Sequence, residues 1–239
     1  MSESPLEILY QDEHLVAINK PHGLLVHRSK IAAEENVFAL QLLRDQIGQR
    51  VYPVHRLDRK TSGVLLFALN EETNSKMKLI FREQQIQKTY LAIVRGYTES
   101  NGTIDYPLRK ENGQLQEAIS HYKTLMHTEI PLAFGKFNTS RYSLVEVKPE
   151  TGRMHQIRKH LAHINHPIIA DRPHGCNKQN KLFKEKWGMD SMLLHAKELH
   201  FTHPHSHKDV SITAKISSEF ERTLGFLKFE SKFVIYPNI

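Results

Sequence analysis

Two hydrophobic rhythms alternate along this chain: short β-branched or aromatic runs, and stretches in which apolar residues return every three or four positions. Leu6-Glu7-Ile8-Leu9-Tyr10 and Leu15-Val16-Ala17-Ile18-Asn19-Lys20 flank a polar Gln11-Asp12-Glu13-His14 and predict an opening hairpin. Val64-Leu65-Leu66-Phe67-Ala68-Leu69 is an unbroken apolar run of strand length. From Ile86 to Gly96 the pattern alternates, so Lys88, Tyr90, Ala92 and Val94 face one way and Thr89, Leu91, Ile93 and Arg95 the other. Further strands are predicted at 121–128, 141–147, 191–201 and 209–216, the last two joined by a His- and Pro-rich turn at 203–208.

The helical rhythm appears four times. Asn36 is placed to cap a helix carrying Val37, Leu40, Leu43 and Ile47, with Gly48 just past its end. Asn70 caps a second, with Met77, Ile80 and Phe81 on one face. A third is predicted over 153–164, where Met154, Ile157, Leu161 and Ile164 form the apolar stripe and Gln156, Lys159 and His163 lie opposite. The last, 218–227, turns Phe220, Leu224 and Leu227 inward. The polar segment 99–116 reads as turn-rich, with turns at Asn101-Gly102 and Asn112-Gly113. Strands and helices follow in irregular order, which favours an α+β fold on a mixed sheet over a doubly wound one.

Composition narrows the function classes. A 39% hydrophobic content supports a substantial core, and no apolar run approaches the roughly 18 residues of a membrane span. The first residues lack the basic-then-apolar pattern of a secretory leader, and one cysteine, Cys176, permits neither an intrachain disulfide nor a CxxC pair. A cytoplasmic protein without membrane contact is expected. The formal net charge of +7 raises a polyanionic partner, a signal of little weight without a site that handles nucleic acid. Sixteen histidines raise a metal site. However, His160 and His163 share a helix face that His166, before Pro167, leaves, and His203, His205 and His207 sit in a turn. Neither set includes an HExxH pattern or a cysteine, so no metal is expected.

The candidate chemistry centres on His55-Arg56-Leu57-Asp58-Arg59-Lys60-Thr61-Ser62-Gly63, between Tyr52-Pro53-Val54 and the apolar run, with Asp58 its only acid. On the 153–164 helix Arg158 borders the buried stripe. By periodicity alone it packs its stem and sends its head to solvent; a partner such as Asp58 would change that reading, since an unpaired buried charge is costly. Asp58 can equally cap a loop amide. Tyr90 is either a half-buried strand aromatic or a ring under a planar ligand, where stacking contributes about 1–3 kcal/mol per base.

Five motifs in order, Asn19-Lys20-Pro21-x-Gly23 with Val26-His27, His55-Arg56-Leu57-Asp58-x-x-Thr61-Ser62-Gly63, Lys88-x-Tyr90, Thr151-Gly152-Arg153-x-His155-Gln156-Ile157-Arg158, and Leu194-His195-Ala196 with His203-Pro204, resemble those of the RluA-type pseudouridine synthases over nearly the whole chain. Val26-His27-Arg28-Ser29, Asp45-Gln46-Ile47-Gly48-Gln49 and His166-Pro167-Ile168-Ile169 are similar to the branch that isomerises a tRNA uridine on the acceptor side of the T stem, uridine 65. The first motif starts so early that no S4-type RNA-binding domain is expected, and 1–239 is expected to be one catalytic domain with two subdomains around one cleft. Ala170-Asp171 stands where the family usually has Gly-Asp.

The resemblance implies the pseudouridine synthase fold, a bent, mainly antiparallel mixed sheet with flanking helices and a central RNA cleft. It implies Asp58 as the catalytic acid residue acting on a flipped-out uridine, as base at C2′ or nucleophile at C1′. Tyr90 would stack on the base and assist proton removal from C5, and Arg158 would pair with Asp58. RNA contacts are implied for Arg56, Lys20, His27, His55, Arg59, Thr61, Arg153 and His155, and pocket walls for Leu194 and Ile157, with the Val64–Leu69 run beside them. No cofactor is implied, since uracil is both leaving group and nucleophile, and a monomer is expected. Three rivals stand beside this reading: a ribosomal-RNA isomerase of the same family, a non-catalytic RNA-binding or chaperone protein, and a metal-dependent RNA hydrolase using the histidines.

Overall fold

A computed structural model describes residues 5–27, 37–189 and 191–229. The opening hairpin forms from β1 (Ile8–Gln11) and β2 (Leu15–Lys20), and β2 runs antiparallel to β4 (Ser62–Ala68), every residue of which is buried. The short β3 (Tyr52–Pro53) also pairs with β4, so the 55–63 loop does connect two neighbouring strands. Beyond β4 the sheet continues through β11 (Leu194–Thr202), β5 (Ile86–Arg95), β10 (Ser140–Pro149), β9 (Ile119–Ile130) and β6 (Asn101–Asp105), while β12 (Asp209–Thr213) flanks β11. β7 (Leu108–Arg109) and β8 (Leu115–Gln116) make a separate hairpin.

The pairing of β4 with β11 is parallel, through His195 with Ser62 and Ala196 with Gly63; the other pairings are antiparallel. Gly63 makes that seam possible. It has φ +108°, and a Cβ there would lie 2.1 Å from the Ala196 carbonyl oxygen, so only glycine lets the two halves of the sheet meet at this point. The seam adjoins the Asp58 loop, which fixes the loop to both halves.

Among the described residues five helices cover the sheet: α1 (Ala39–Ile47), α2 (Glu71–Arg82), α3 (Gln156–His163), α4 (Asn177–Trp187) and α5 (Ser218–Phe226). α1 ends at Gly48 in the left-handed conformation, as predicted; Asn36, its predicted cap, lies outside the described residues, as do Arg28 and Ser29. Asn70 caps α2 by accepting the Thr73 N–H at 2.8 Å. One apolar cluster joins β2 and β4 to α1, a second, with Leu9 and Tyr10 of β1 against it, lies on the other face under α2 and β12, and the largest packs β5, β9, β10 and β11 against α3, α4 and α5.

Three expectations change. Asn101-Gly102 opens β6 instead of turning, because Gly102 lies against the Tyr122 ring, where a Cβ would come within 2.6 Å. Asn112-Gly113 does turn, between β7 and β8. α4 has no counterpart in the predicted elements: its lysine-rich sequence buries only Gln179 and Phe183, too few for a visible stripe. The third helix begins at Gln156, three residues late, since His155 is left-handed (φ 57°). Met154, predicted in the apolar stripe, therefore lies outside the helix and exposed, while Gln156, predicted on the polar face, is buried, where Oε1 accepts from the Thr151 hydroxyl and the Arg153 N–H and Nε2 donates to the Ile119 carbonyl.

Candidate active site

A cleft of about 650 Å³ opens between the 55–63 loop, α2, β5 and the segment leading into α3. Val54, Leu57, Phe81, Ile157 and Leu194 give it apolar wall, and Asp58, Tyr90, Lys88, Arg153, His155 and Arg158 give it chemistry. Its volume suits one nucleotide-sized ligand. The Val64–Leu69 run, expected beside Leu194 in the wall, belongs instead to the sheet interior, with side chains in the two clusters above and below β4. A strand buried on both faces has no side left to offer a cleft.

Asp58 reaches the cleft from a loop whose turn is closed by the Thr61 N–H donating to the Asp58 carbonyl at 3.0 Å. Its Oδ2 accepts from Arg158 Nη1 at 2.8 Å, and His155 Nε2 stands 3.8 Å from the same oxygen. Arg158 is 5% exposed, so the solvent-directed reading of its head is replaced by a paired one. Its second partner was not anticipated. Asp171, 1% exposed, takes Nε on Oδ2 and Nη2 on Oδ1, both at 2.8 Å. Such a two-point pairing sets the plane of the guanidinium as well as its place. Although burial opposes the charge, the Asp171 and Asp58 carboxylates hold the Arg158 pKa above its usual value.

Tyr90 and Lys88 face the cleft from the same side of β5, as the alternation required. Burial first, then the Asp58 charge, push the Tyr90 phenol above its usual pKa, so it is a neutral phenol at physiological pH. Lys88 donates to the Glu150 and Thr151 carbonyls at 3.1 and 3.3 Å, and burial together with Arg153 lowers its pKa to about 8.

The residues implied as RNA contacts divide into two groups. Arg56 lines the cleft mouth, exposed; His27 and Arg59 are exposed as well. Arg153 Nε donates to the Glu117 carbonyl at the cleft wall. Lys20 is different: wholly buried, it donates to the carbonyls of Pro21, Leu24 and Arg59 at 2.9, 2.8 and 3.2 Å. An ammonium with three donors on three carbonyls has none for a phosphate, so the expected RNA contact is corrected to a tie between the first motif and the Asp58 loop. His55 accepts the Leu66 N–H on Nε2 at 3.0 Å and stacks on Phe81, and burial holds it neutral with a pKa near 3. Thr61 is buried beneath the loop it closes. α2 adds two cations the motifs did not point to, Lys78 and Arg82, four residues apart beside Phe81 on the cleft rim.

Two histidines of the 160–166 group are tied by hydrogen bonds. His160 Nδ1 meets the Ser120 hydroxyl and Nε2 the Tyr106 carbonyl, both at 3.0 Å, and His166 Nδ1 meets the Arg95 carbonyl at 2.8 Å. Among the described residues no group of three or more His, Cys, Asp or Glu is placed to hold a metal ion, and no helix is long and apolar enough to cross a membrane.

Residues 14–163, which carry β2, the Asp58 loop, Tyr90 and Arg158, match the family model described as RNA pseudouridylate synthase. This chain belongs to the RNA pseudouridylate synthase family. Members are isomerases that convert uridine to pseudouridine. The chain is 47% identical to tRNA pseudouridine synthase C of Vibrio parahaemolyticus, an alignment covering 96% of this chain and 97% of the relative. It is 50% identical to the protein of that name from Yersinia pestis over 88% of this chain and 86% of the other. Among solved structures, human RNA pseudouridylate synthase domain containing 4 superposes with a TM-score of 0.71 at 25% identity, covering 93% of each chain. The synthase fold is therefore the one the α+β pattern and the motifs predicted.

Proposed function

We propose that this synthase acts on tRNA, isomerising uridine 65 on the acceptor side of the T stem, with Asp58 as its catalytic residue. The observation that carries the reading is the Asp58 carboxylate in a nucleotide-sized cleft, 2.8 Å from a guanidinium fixed by a second, buried carboxylate. The names of relatives sharing nearly half the sequence along nearly its full length support tRNA over ribosomal RNA. The chain is read as one catalytic domain, monomeric and cytoplasmic, whose two subdomains flank one cleft.

A duplex uridine must leave its stack to reach Asp58, at a cost of a few kcal/mol. Arg56, Arg153, Lys78 and Arg82 around the mouth, with the exposed Arg59 farther along the loop, supply the phosphate contacts that offset it. Asp58 then acts as base at C2′ or nucleophile at C1′. The N-glycosidic bond breaks with its electron pair leaving on uracil N1, the uracil turns, and its C5 bonds to C1′ as the Asp58–C1′ bond breaks or, on the C2′ route, as C2′ takes its proton back; C5 then loses its proton and N1 gains one. The apolar walls of Leu57, Ile157 and Leu194 keep water from the detached base until it reattaches. Tyr90, held as a neutral phenol, serves first as the stacking surface. It can receive the C5 proton only while passing its own to a base. No cofactor is required by this sequence of bonds.

Asp58→Asn is the deciding variant. Because Asp171 still pairs with Arg158, the variant should fold and bind RNA while releasing no tritium from C5-labelled uridine. Retained release would refute Asp58 as the catalytic residue, and no release by the wild-type protein beside intact RNA binding would favour a non-catalytic RNA-binding protein. Release from tRNA transcripts but not from ribosomal-RNA transcripts is the expected substrate result, and the reverse assigns the ribosomal reading. Pseudouridine mapping of tRNA from cells lacking the protein then tests position 65.

A further inference from the structure

Asp58 has two neighbours on Oδ2, and both lead to one turn. Arg158 is forked on Asp171. His155 Nδ1 lies 2.9 Å from Nε2 of His174, three residues past Asp171, and the His174 N–H points at Asp171 Oδ1 at 3.4 Å. The turn is tight: a Cβ on Gly175 would fall 2.0 Å from the Asp171 carbonyl, and Asn180 Nδ2 donates to that carbonyl at 2.8 Å. His174 belongs to none of the motifs above.

A hydrogen bond between two neutral imidazoles fixes their tautomers, because one ring must donate and the other accept. If His155 donated from Nδ1, its Nε2 would carry a lone pair toward the Asp58 carboxylate 3.8 Å away. If His174 donates instead, His155 Nδ1 accepts and Nε2 carries the proton toward the carboxylate. The second arrangement sets opposite charges together and is electrostatically preferred. The gap of 3.8 Å is too long for a direct hydrogen bond. It leaves the Nε2–H directed into the space beside Asp58, in the cleft that His155 lines. His155 holds this pose in a left-handed backbone that a non-glycine residue adopts only at a cost.

We propose that His174 is a positioning residue for the isomerisation: it donates to His155 and thereby makes His155 a hydrogen-bond donor to the polar edge of the flipped nucleotide beside Asp58. The inference rests on the reading of this cleft as the synthase site. His174 itself does not line the cleft.

The test compares single-turnover rates and RNA affinity for His174→Ala, His174→Gln, His155→Ala and the His155→Ala/His174→Ala double variant, with Asp58→Asn beside them. Glutamine carries an amide N–H at nearly the position of His174 Nε2. His174→Ala should slow the single-turnover step by about tenfold or more at unchanged RNA affinity. His174→Gln should recover most of that loss, and the double variant should be no slower than His155→Ala alone. Nitrogen-15 shifts should show His155 protonated on Nε2 in the wild type. An unaffected rate in His174→Ala, no rescue by glutamine, multiplicative losses in the double variant, or His155 protonated on Nδ1 would each overturn the proposal. Isomerisation by Asp58→Asn would instead remove the underlying reading, so the two failures are separable.

Discussion

Arg158 and Lys20 are both buried beside Asp58 and are held in opposite ways. Arg158, on the α3 side, meets two carboxylates, and its charge is favoured despite burial. Lys20, at the end of β2, meets only carbonyls; burial pushes its pKa down to about 7, with Asp58 pulling partly back. Carbonyl dipoles satisfy an ammonium's donors without neutralising it, whereas carboxylates do both. The α3 side therefore gives the Asp58 loop a permanent cation of set orientation. The β2 side gives it a clamp: besides the Lys20 contact, the Gly23 N–H donates to the Arg59 carbonyl and Arg59 Nε donates to the Gly23 carbonyl.

The contrast is broken most directly at Arg158. Arg158→Met leaves the Asp171 carboxylate buried and uncompensated, a change expected to cost about 3–5 kcal/mol in urea denaturation. Adding Asp171→Asn should return part of that loss, because the stranded charge goes with it. A loss below about 1 kcal/mol in Arg158→Met would mean that the two carboxylates do not depend on this cation. Asp171→Asn alone keeps one acceptor and removes the charge, with an expected loss of about 1.5–3 kcal/mol. Its single-turnover rate should fall further than its RNA affinity, since the guanidinium no longer has a fixed plane.

How much of this was legible in the sequence depends on which side one reads. The Asp58 loop was legible from its polar composition between two strands, and the shared face of Lys88 and Tyr90 and the border position of Arg158 followed from alternation and helical phase, because those rules describe where a backbone sends its side chains. Asp171 was visible as the acid of the Ala170-Asp171 pair, but not as a partner of Arg158, which lies 13 residues earlier on a helix whose start is displaced by His155. The motif containing Lys20 was legible, but its role was not. A lysine in a polar loop motif suggests phosphate, and only the fold shows it turned inward onto three carbonyls. α4 and the NG pair opening β6 were hidden for a related reason: their identity is decided by tertiary partners such as Tyr142 and Tyr122, not by local pattern.

Lys20→Met sharpens the other half of the contrast. Three carbonyls lose their donor while the cost of burying an ammonium disappears, so the net loss near neutral pH should be modest, about 1–2 kcal/mol. The pH dependence carries the sign. With Lys20 titrating near 7 folded and near 10.5 unfolded, the unfolded chain binds more protons between those values. Wild-type stability therefore gains from this group as pH rises through that window, and the penalty is full below it. The methionine variant lacks the gain, so its deficit should be larger at pH 9 than at pH 6.5. A deficit independent of pH would show that Lys20 titrates alike in both states.

The smallest effect expected lies one residue before Asp171. Ala170 has φ +63°, is buried, and donates its N–H to Asn180 Oδ1 at 2.9 Å, so the backbone cannot relax out of the left-handed region without losing a buried hydrogen bond. Alanine there is strained by about 1–2 kcal/mol, where the family's usual glycine is not. Glycine also frees the unfolded chain, which returns roughly 0.5–1 kcal/mol of the relief. Ala170→Gly should thus gain about 0.5–1 kcal/mol and raise the melting midpoint by about 1–3 °C, with the fork from Arg158 to Asp171 and the isomerisation rate unchanged. A lower midpoint would mean that alanine's stiffness, not its strain, is what matters at this position, and that the Asp171 anchor relies on it.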